Sequence, residues 1–141
     1  MPRLEQVLRD NPEKVKLVFK NFPLRNHQYA ASAAMAALAA DAQGKFWEFH
    51  DRLFADFNHI NDQKIKDIAR ELGYKTAEFE KQMADPGILS RIRQDLQDGT
   101  AAGVRGTPTV FINGRRLKNR SLKGFQDLIH KELQKMQKTD N

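Results

Sequence analysis

The sequence contains no cysteine. Thiolate catalysis, a disulfide framework and thiolate metal sites are therefore excluded for this polypeptide. The compartment stays open, because a cysteine-free domain survives either redox poise. No stretch approaches the ~20 consecutive apolar residues that cross a bilayer, and Met1-Pro2-Arg3-Leu4-Glu5 lacks the apolar core of a secretory signal. Either the chain is cytosolic or an export signal has been removed or lost. Acidic residues are missing from one long stretch. None falls between Asp98 and Asp127, where Arg105, Arg115, Arg116, Lys118, Arg120 and Lys123 all lie. Those six account for the formal charge of +6, and elsewhere the signs balance. A solvated basic surface around a hairpin is the plainer reading of this asymmetry; a patch that steers an anionic partner is the sharper one.

What is present suits one folded domain. At 141 residues, 40% hydrophobic and 30% charged, the chain can bury a core without metal or disulfide staples. Leu4, Val7 and Leu8 share a helical face that ends at Asn11-Pro12, since proline disfavours helix in the residue before it. Val15-Lys16-Leu17-Val18-Phe19 reads as a strand. A helix rich in alanine is expected from about His27 to Gln43, with Gly44 as its stop. Phe46, Phe49, Leu53 and Phe54 predict the next amphipathic helix, with Trp47 alongside. Asn61 or Asp62 starts a helix buried through Ile65, Ile68, Ala69 and Leu72, and Gly73 ends it. Thr76 is expected to cap a short helix carrying Phe79 and Met83. Asp85-Pro86 offers an N-cap and a first-turn proline for the helix of Ile88, Leu89, Ile92 and Leu96.

After Gly103 the pattern changes. Thr109-Val110-Phe111-Ile112 is strand-like, Asn113-Gly114 is a strong hairpin signal, and Arg115-Arg116-Leu117 returns. Ser121 can cap a last helix whose apolar face is Leu122, Phe125, Leu128, Ile129, Leu133 and Met136. Pro108 stands directly before the strand, where its missing N–H costs no ladder bond. Gly106 relaxes the backbone just ahead of it.

The run from Val104 to Gly114, Gly106-Thr107-Pro108 included, resembles the thioredoxin superfamily, in which the proline before this hairpin follows a cis bond. Lys14 to Leu24, His27, Ala30 and the alanine-rich helix into Gly44-Lys45-Phe46-Trp47-Glu48-Phe49-His50-Asp51 narrow the resemblance to DsbA-type thiol–disulfide oxidoreductases. It covers nearly the whole chain. It implies an α/β, thioredoxin-like fold with a helical insertion at about 25–102, followed by the cis-proline loop, hairpin and final helix at 104–138, all in a single domain 1–141. Family members place a strand and a Cys-x-x-Cys pair before the segment that Pro2 to Leu8 resembles. The resemblance therefore implies a chain lacking the first N-terminal strand, the cysteines and the helix N-terminus that lowers the nucleophile's pKa. The Val15–Phe19 and Thr109–Ile112 strands would flank the absent one in a mixed sheet. They are expected either to close up or to be bridged by another chain.

The resemblance implies a substrate-docking loop at Arg105, Gly106, Thr107 and Pro108, whose backbone pairs with an extended segment. No residue here can act as the catalytic nucleophile, and no cofactor or metal is expected. His27, His50, His59 and His130 show no ligand spacing and read as packed or capping residues. Phe46, Trp47, Phe49, Phe54 and Phe57 read as core at helical spacing, and Arg3 as surface. The leading expectation is a thiol–disulfide interchange domain, oxidoreductase or isomerase, inactive alone. The alternatives are a non-catalytic module that binds peptides or proteins, and a relative of the kappa-class glutathione transferases and isomerases. Protein or peptide substrates, and a homo-oligomer formed by strand pairing or swapping, are the expected partners. No membrane span is expected, and nucleic acid is disfavoured because aromatics other than Phe111 do not interleave the basic residues. By resemblance the compartment would be periplasmic or extracytoplasmic.

Overall fold

A computed structural model describes residues 2–139. It divides the chain at two crossings, giving one unit from Met1–Phe19 with Gly106–Asn141 and another from Lys20–Arg105. The stretch expected as an insertion, 25–102, lies within the second.

In the first unit, helix α1 (Pro2–Asp10) buries Val7, and Asn11 donates from its side chain to the Val7 carbonyl at 3.0 Å where the helix stops. The hairpin pairs β1 (Phe111–Ile112) with β2 (Arg115–Arg116), Phe111 opposite Arg116 and Ile112 opposite Arg115. Asn113 (φ 47°) and Gly114 (φ 76°) make the turn, both in the left-handed region that a two-residue hairpin needs. Helix α7 (Leu122–Thr139) follows, its Ser121 hydroxyl accepting from the Gly124 N–H at 3.1 Å. Val7, Leu117, Phe125 and Ile129 form the buried cluster that joins helices and hairpin. Glu132 ties the hairpin to α7, accepting from Arg115 Nε at 2.9 Å and from Lys135 Nζ at 2.8 Å.

The Glu132 pair has a pH consequence. The Lys135 hydrogen bond, against some desolvation and with help from the nearby charges of Lys135, Arg115 and Lys131, holds the Glu132 carboxyl below its ordinary 4.5. A carboxylate lowered in the folded state stabilises fully above its unfolded pKa and loses that contribution as pH falls through its folded value. The Arg115 Nε–H resonance is therefore expected to titrate below pH 4.5 and to lose that titration in Glu132→Gln. A resonance insensitive to acid in the wild-type chain would contradict the clasp.

In the second unit four helices surround alanine-rich α2 (Ala30–Asp41): α3 (Phe46–Ala55), α4 (Asp62–Glu71), α5 (Thr76–Met83) and α6 (Pro86–Ala101). Ala36, Ala37, Ala39 and Ala40 are buried, and such small side chains let neighbouring helices approach closely. Phe49 and Phe79 stack with centroids 5.4 Å apart, and the Tyr74 hydroxyl reaches the Ala40 carbonyl at 3.2 Å. Asn61 caps α4 by accepting from the Lys64 N–H at 2.8 Å, and Asp85 accepts from the Gly87 N–H at 2.7 Å with Pro86 opening α6. The segment at Lys20 and Asn21 is held to α6. Asp95, largely buried, accepts from the Asn21 N–H at 2.8 Å, and Lys20 meets Asp98 at 2.7 Å. Gly99 gives the Phe22 ring room, since a Cβ there would come within 2.8 Å of it.

Several expectations need correction. Val15–Phe19 belongs to no sheet among the described residues, although its side chains alternate between half-buried and exposed as a strand's would. A strand is defined by its ladder, and among the described residues no neighbouring strand pairs with this segment. The two segments therefore do not close up, and the sheet is a two-stranded antiparallel hairpin rather than a mixed one. The strand expected from Thr109 shortens to Phe111–Ile112; the Thr109 hydroxyl donates to the Gly106 carbonyl at 2.7 Å and ties that end to the preceding bend. Helix α2 starts at Ala30 rather than His27, after turns that carry 25–29. Thr76 is the first residue of α5, and the N-cap position falls on Lys75, whose side chain makes no capping bond. Of the aromatics read as core, only Phe49 is fully buried; Trp47, Phe54 and Phe57 are exposed.

Candidate functional site: the proline loop and its groove

The loop before the hairpin is built from local chemistry. Gly106 is half-buried, Thr107 and Pro108 are exposed, and the Thr107–Pro108 peptide is cis. With its hydroxyl used on Gly106, Thr109 holds the loop closed from behind. In front, Arg120 Nη1 donates to the Pro108 carbonyl at 2.8 Å, and Arg3 Nη1 donates to the Arg120 carbonyl at 3.3 Å. The Asn119 side chain accepts from the Ser121 N–H at 3.0 Å, shaping the bend that delivers Arg120. Beyond the loop, the Leu117 N–H donates to the Val110 carbonyl at 2.8 Å, continuing the hairpin.

These residues open onto a groove of about 800 Å³. Leu4, Val110 and the buried Phe125 make its apolar floor, Pro108 one wall, and Arg3, Lys118 and Arg120 its charged rim. No Asp or Glu lines it among the described residues. The bonds that Arg3 and Arg120 donate go to neutral carbonyls, so these leave the guanidinium charges uncompensated.

Of the residues expected at the docking loop, Gly106, Thr107 and Pro108 lie together, whereas Arg105 is the last residue of the helical unit. Reading Arg3 simply as surface missed its place at the groove, and Arg120 counted only toward the charge tally. The basic stretch is not one continuous patch. Arg115 is engaged by Glu132 and Lys123 by Asp127 at 2.9 Å, whereas Lys118 and Arg120 of the same stretch line the groove. His50 is buried against Trp47 and Phe54 and lies 3.0 Å from Asp51; His59 meets Asp56 at 3.1 Å. Among the described residues no cluster of three or more His, Asp or Glu converges as a metal site would require. A second recess, about 350 Å³, lies in the helical unit, with Leu24, Met35, Leu89 and Ile92 inside and Arg25 and Arg93 at its edge. Chemically, the loop offers exposed backbone, an apolar floor and positive charge. It offers no thiol.

Comparison with known proteins agrees with this architecture. The profile of the DSBA-like thioredoxin domain matches residues 1–130. A thioredoxin-like oxidoreductase from Silicibacter pomeroyi superposes with a TM-score of 0.83 at 26% identity, covering 95% of this chain and 77% of that one. Among curated relatives, Na(+)/H(+) antiporter NhaA 3 of Salinispora tropica is 38% identical over 116 residues, 82% of this chain and 18% of the antiporter. The Na(+)/H(+) antiporter NhaA of Herminiimonas arsenicoxydans is 31% identical over 106 residues, 75% of this chain and 17% of that protein. The chain thus spans less than a fifth of the curated relatives it matches. No helix among the described residues is long and apolar enough to cross a membrane. With a thioredoxin-like fold, a helical insertion and a proline loop before the terminal hairpin, the chain belongs to the DsbA-like thioredoxin-domain family.

Proposed function

We propose that this chain is the polypeptide-docking part of a thiol–disulfide interchange module, oxidoreductase or isomerase. Gly106, Thr107 and Pro108 would present the backbone on which an extended substrate segment lies. The observation that carries this reading is the exposed Thr107–Pro108 loop, braced by Arg120 and opening on a groove with an apolar floor. Main-chain pairing gives such docking its affinity and side-chain pockets give it selectivity. Exchange itself proceeds by attack of a thiolate on a disulfide sulfur. None of the 141 residues supplies a thiol, so the cysteine pair has to come from outside them. The free edge of β1 is also where self-pairing would occur, and an extracytoplasmic setting fits disulfide chemistry.

Backbone amide shifts on adding a reduced, alkylated unfolded polypeptide test the reading. Shifts are expected at Gly106, Thr107 and Thr109 through Ile112. Shifts confined to the helical unit, with the loop unmoved, would refute it. The same protein is expected to leave the uncatalysed rate of dithiol oxidation unchanged.

A second reading is favoured by the antiporter relatives, in which the matching part is a small fraction of a much longer protein. Here the loop would dock a segment of the transporter itself. Titration of this chain with the Salinispora tropica antiporter, stripped of its own matching part, separates the two. No binding leaves the first reading alone.

A further inference from the structure

We infer that the groove beside Pro108 selects an acidic extended segment of a protein, one that places an apolar side chain next to a carboxylate. This deepens the docking role proposed above and rests on it. Three observations converge on it. Every charged residue lining the groove is basic: Arg3, Lys118 and Arg120. The bonds made by Arg3 and Arg120 go to the carbonyls of Arg120 and Pro108, which orient the guanidinium groups without neutralising them. The other cations of the basic stretch that pair with carboxylates, Arg115 with Glu132 and Lys123 with Asp127, lie outside the lining. Arg3, Lys118 and Arg120 thus bring positive charge to the groove beside the loop with no carboxylate in its lining.

The floor decides between classes of anion. Leu4, Val110 and Phe125 form an apolar base beneath the charged rim. In an extended peptide successive side chains point to opposite faces, so an apolar residue can face the floor while its acidic neighbour turns to the rim. A sugar–phosphate backbone has no apolar side chain for that floor, and among the described residues no exposed aromatic ring lines the groove for a base to stack on. Arg120 does double duty. Its Nη1 bond sets the Pro108 carbonyl, and its remaining donors can fork onto a carboxylate.

The test uses the whole chain and short fluorescein-labelled peptides, Gly-Val-Glu-Val-Gly and its glutamine counterpart, followed by anisotropy. A few partly exposed ion pairs give the glutamate peptide about tenfold tighter binding at low salt, narrowing as salt is raised. Lys118→Glu is expected to abolish that preference, with circular dichroism confirming an intact fold. Lys123→Gln, outside the groove, keeps it. Equal binding of the two peptides would overturn acidic selection and leave docking standing. Binding of neither would overturn docking and this inference with it. Displacement of the glutamate peptide by a single-stranded oligonucleotide at lower concentration than by free peptide would assign the groove to nucleic acid instead.

Discussion

Phe79→Ala is expected to cost the helical unit about 3–5 kcal/mol, the range for emptying a large aromatic site in a core that relaxes only partly. Phe79 is 2% exposed, stacks on Phe49 and lies 4.8 Å from the Tyr74 ring. Its removal leaves both rings without a packing face, while Tyr74 still has to keep its hydroxyl on the Ala40 carbonyl. Small domains hold only about 5–15 kcal/mol in total, so the urea midpoint should fall by a large fraction. Phe57→Ala is the control. That ring is 67% exposed, and its loss should change stability by no more than about 0.5 kcal/mol. Comparable losses from the two variants would mean that the stacked pair is not the centre of this core.

Gly124→Ala is expected to disrupt the first unit by about 3 kcal/mol, at the upper end of the usual cost of overpacking. A Cβ at this position would sit 2.1 Å from the Asn119 carbonyl oxygen, and a backbone atom has no rotamer by which to escape. Relief requires the 119–121 bend to move away from α7. That bend carries Arg120, whose guanidinium braces Pro108, so the damage should reach the loop. Amide exchange measured by residue should accelerate in the hairpin and the first turn of α7. Gly99→Ala offers a contrast, because its Cβ would meet the Phe22 ring, a side chain able to tilt. Equal effects of the two would show that the Asn119 contact yields more readily than its geometry implies.

How far residues alone led depended on whether the governing interaction was local. Asn113-Gly114 demanded a left-handed turn and made one. Asp85-Pro86 and Asn61 announced helix starts because their side chains cap amides two and three residues on. The family and thioredoxin-like fold were legible for a related reason: the spacing of loop, hairpin and capped helix is itself a pattern. Val15–Phe19 failed as a strand because pairing is a property of two segments, and composition describes only one. Trp47, Phe54 and Phe57 failed as core because periodicity defines a helix face without saying whether anything covers it. The bond between Arg120 and the Pro108 carbonyl joins residues twelve apart through a long side chain, and no local signal foretells that.

The two chain crossings, at Phe19 and Arg105, carry a consequence for biosynthesis. The helical unit is continuous in sequence, so all its partners are available once residue 105 has left the ribosome. The hairpin unit draws its cluster from both sides of that segment: Val7 must wait for Phe125 and Ile129. Contacts that distant in sequence form late and slowly. During translation, α1 therefore holds an uncovered apolar face until α7 is made, a natural target for a chaperone that holds nascent chains.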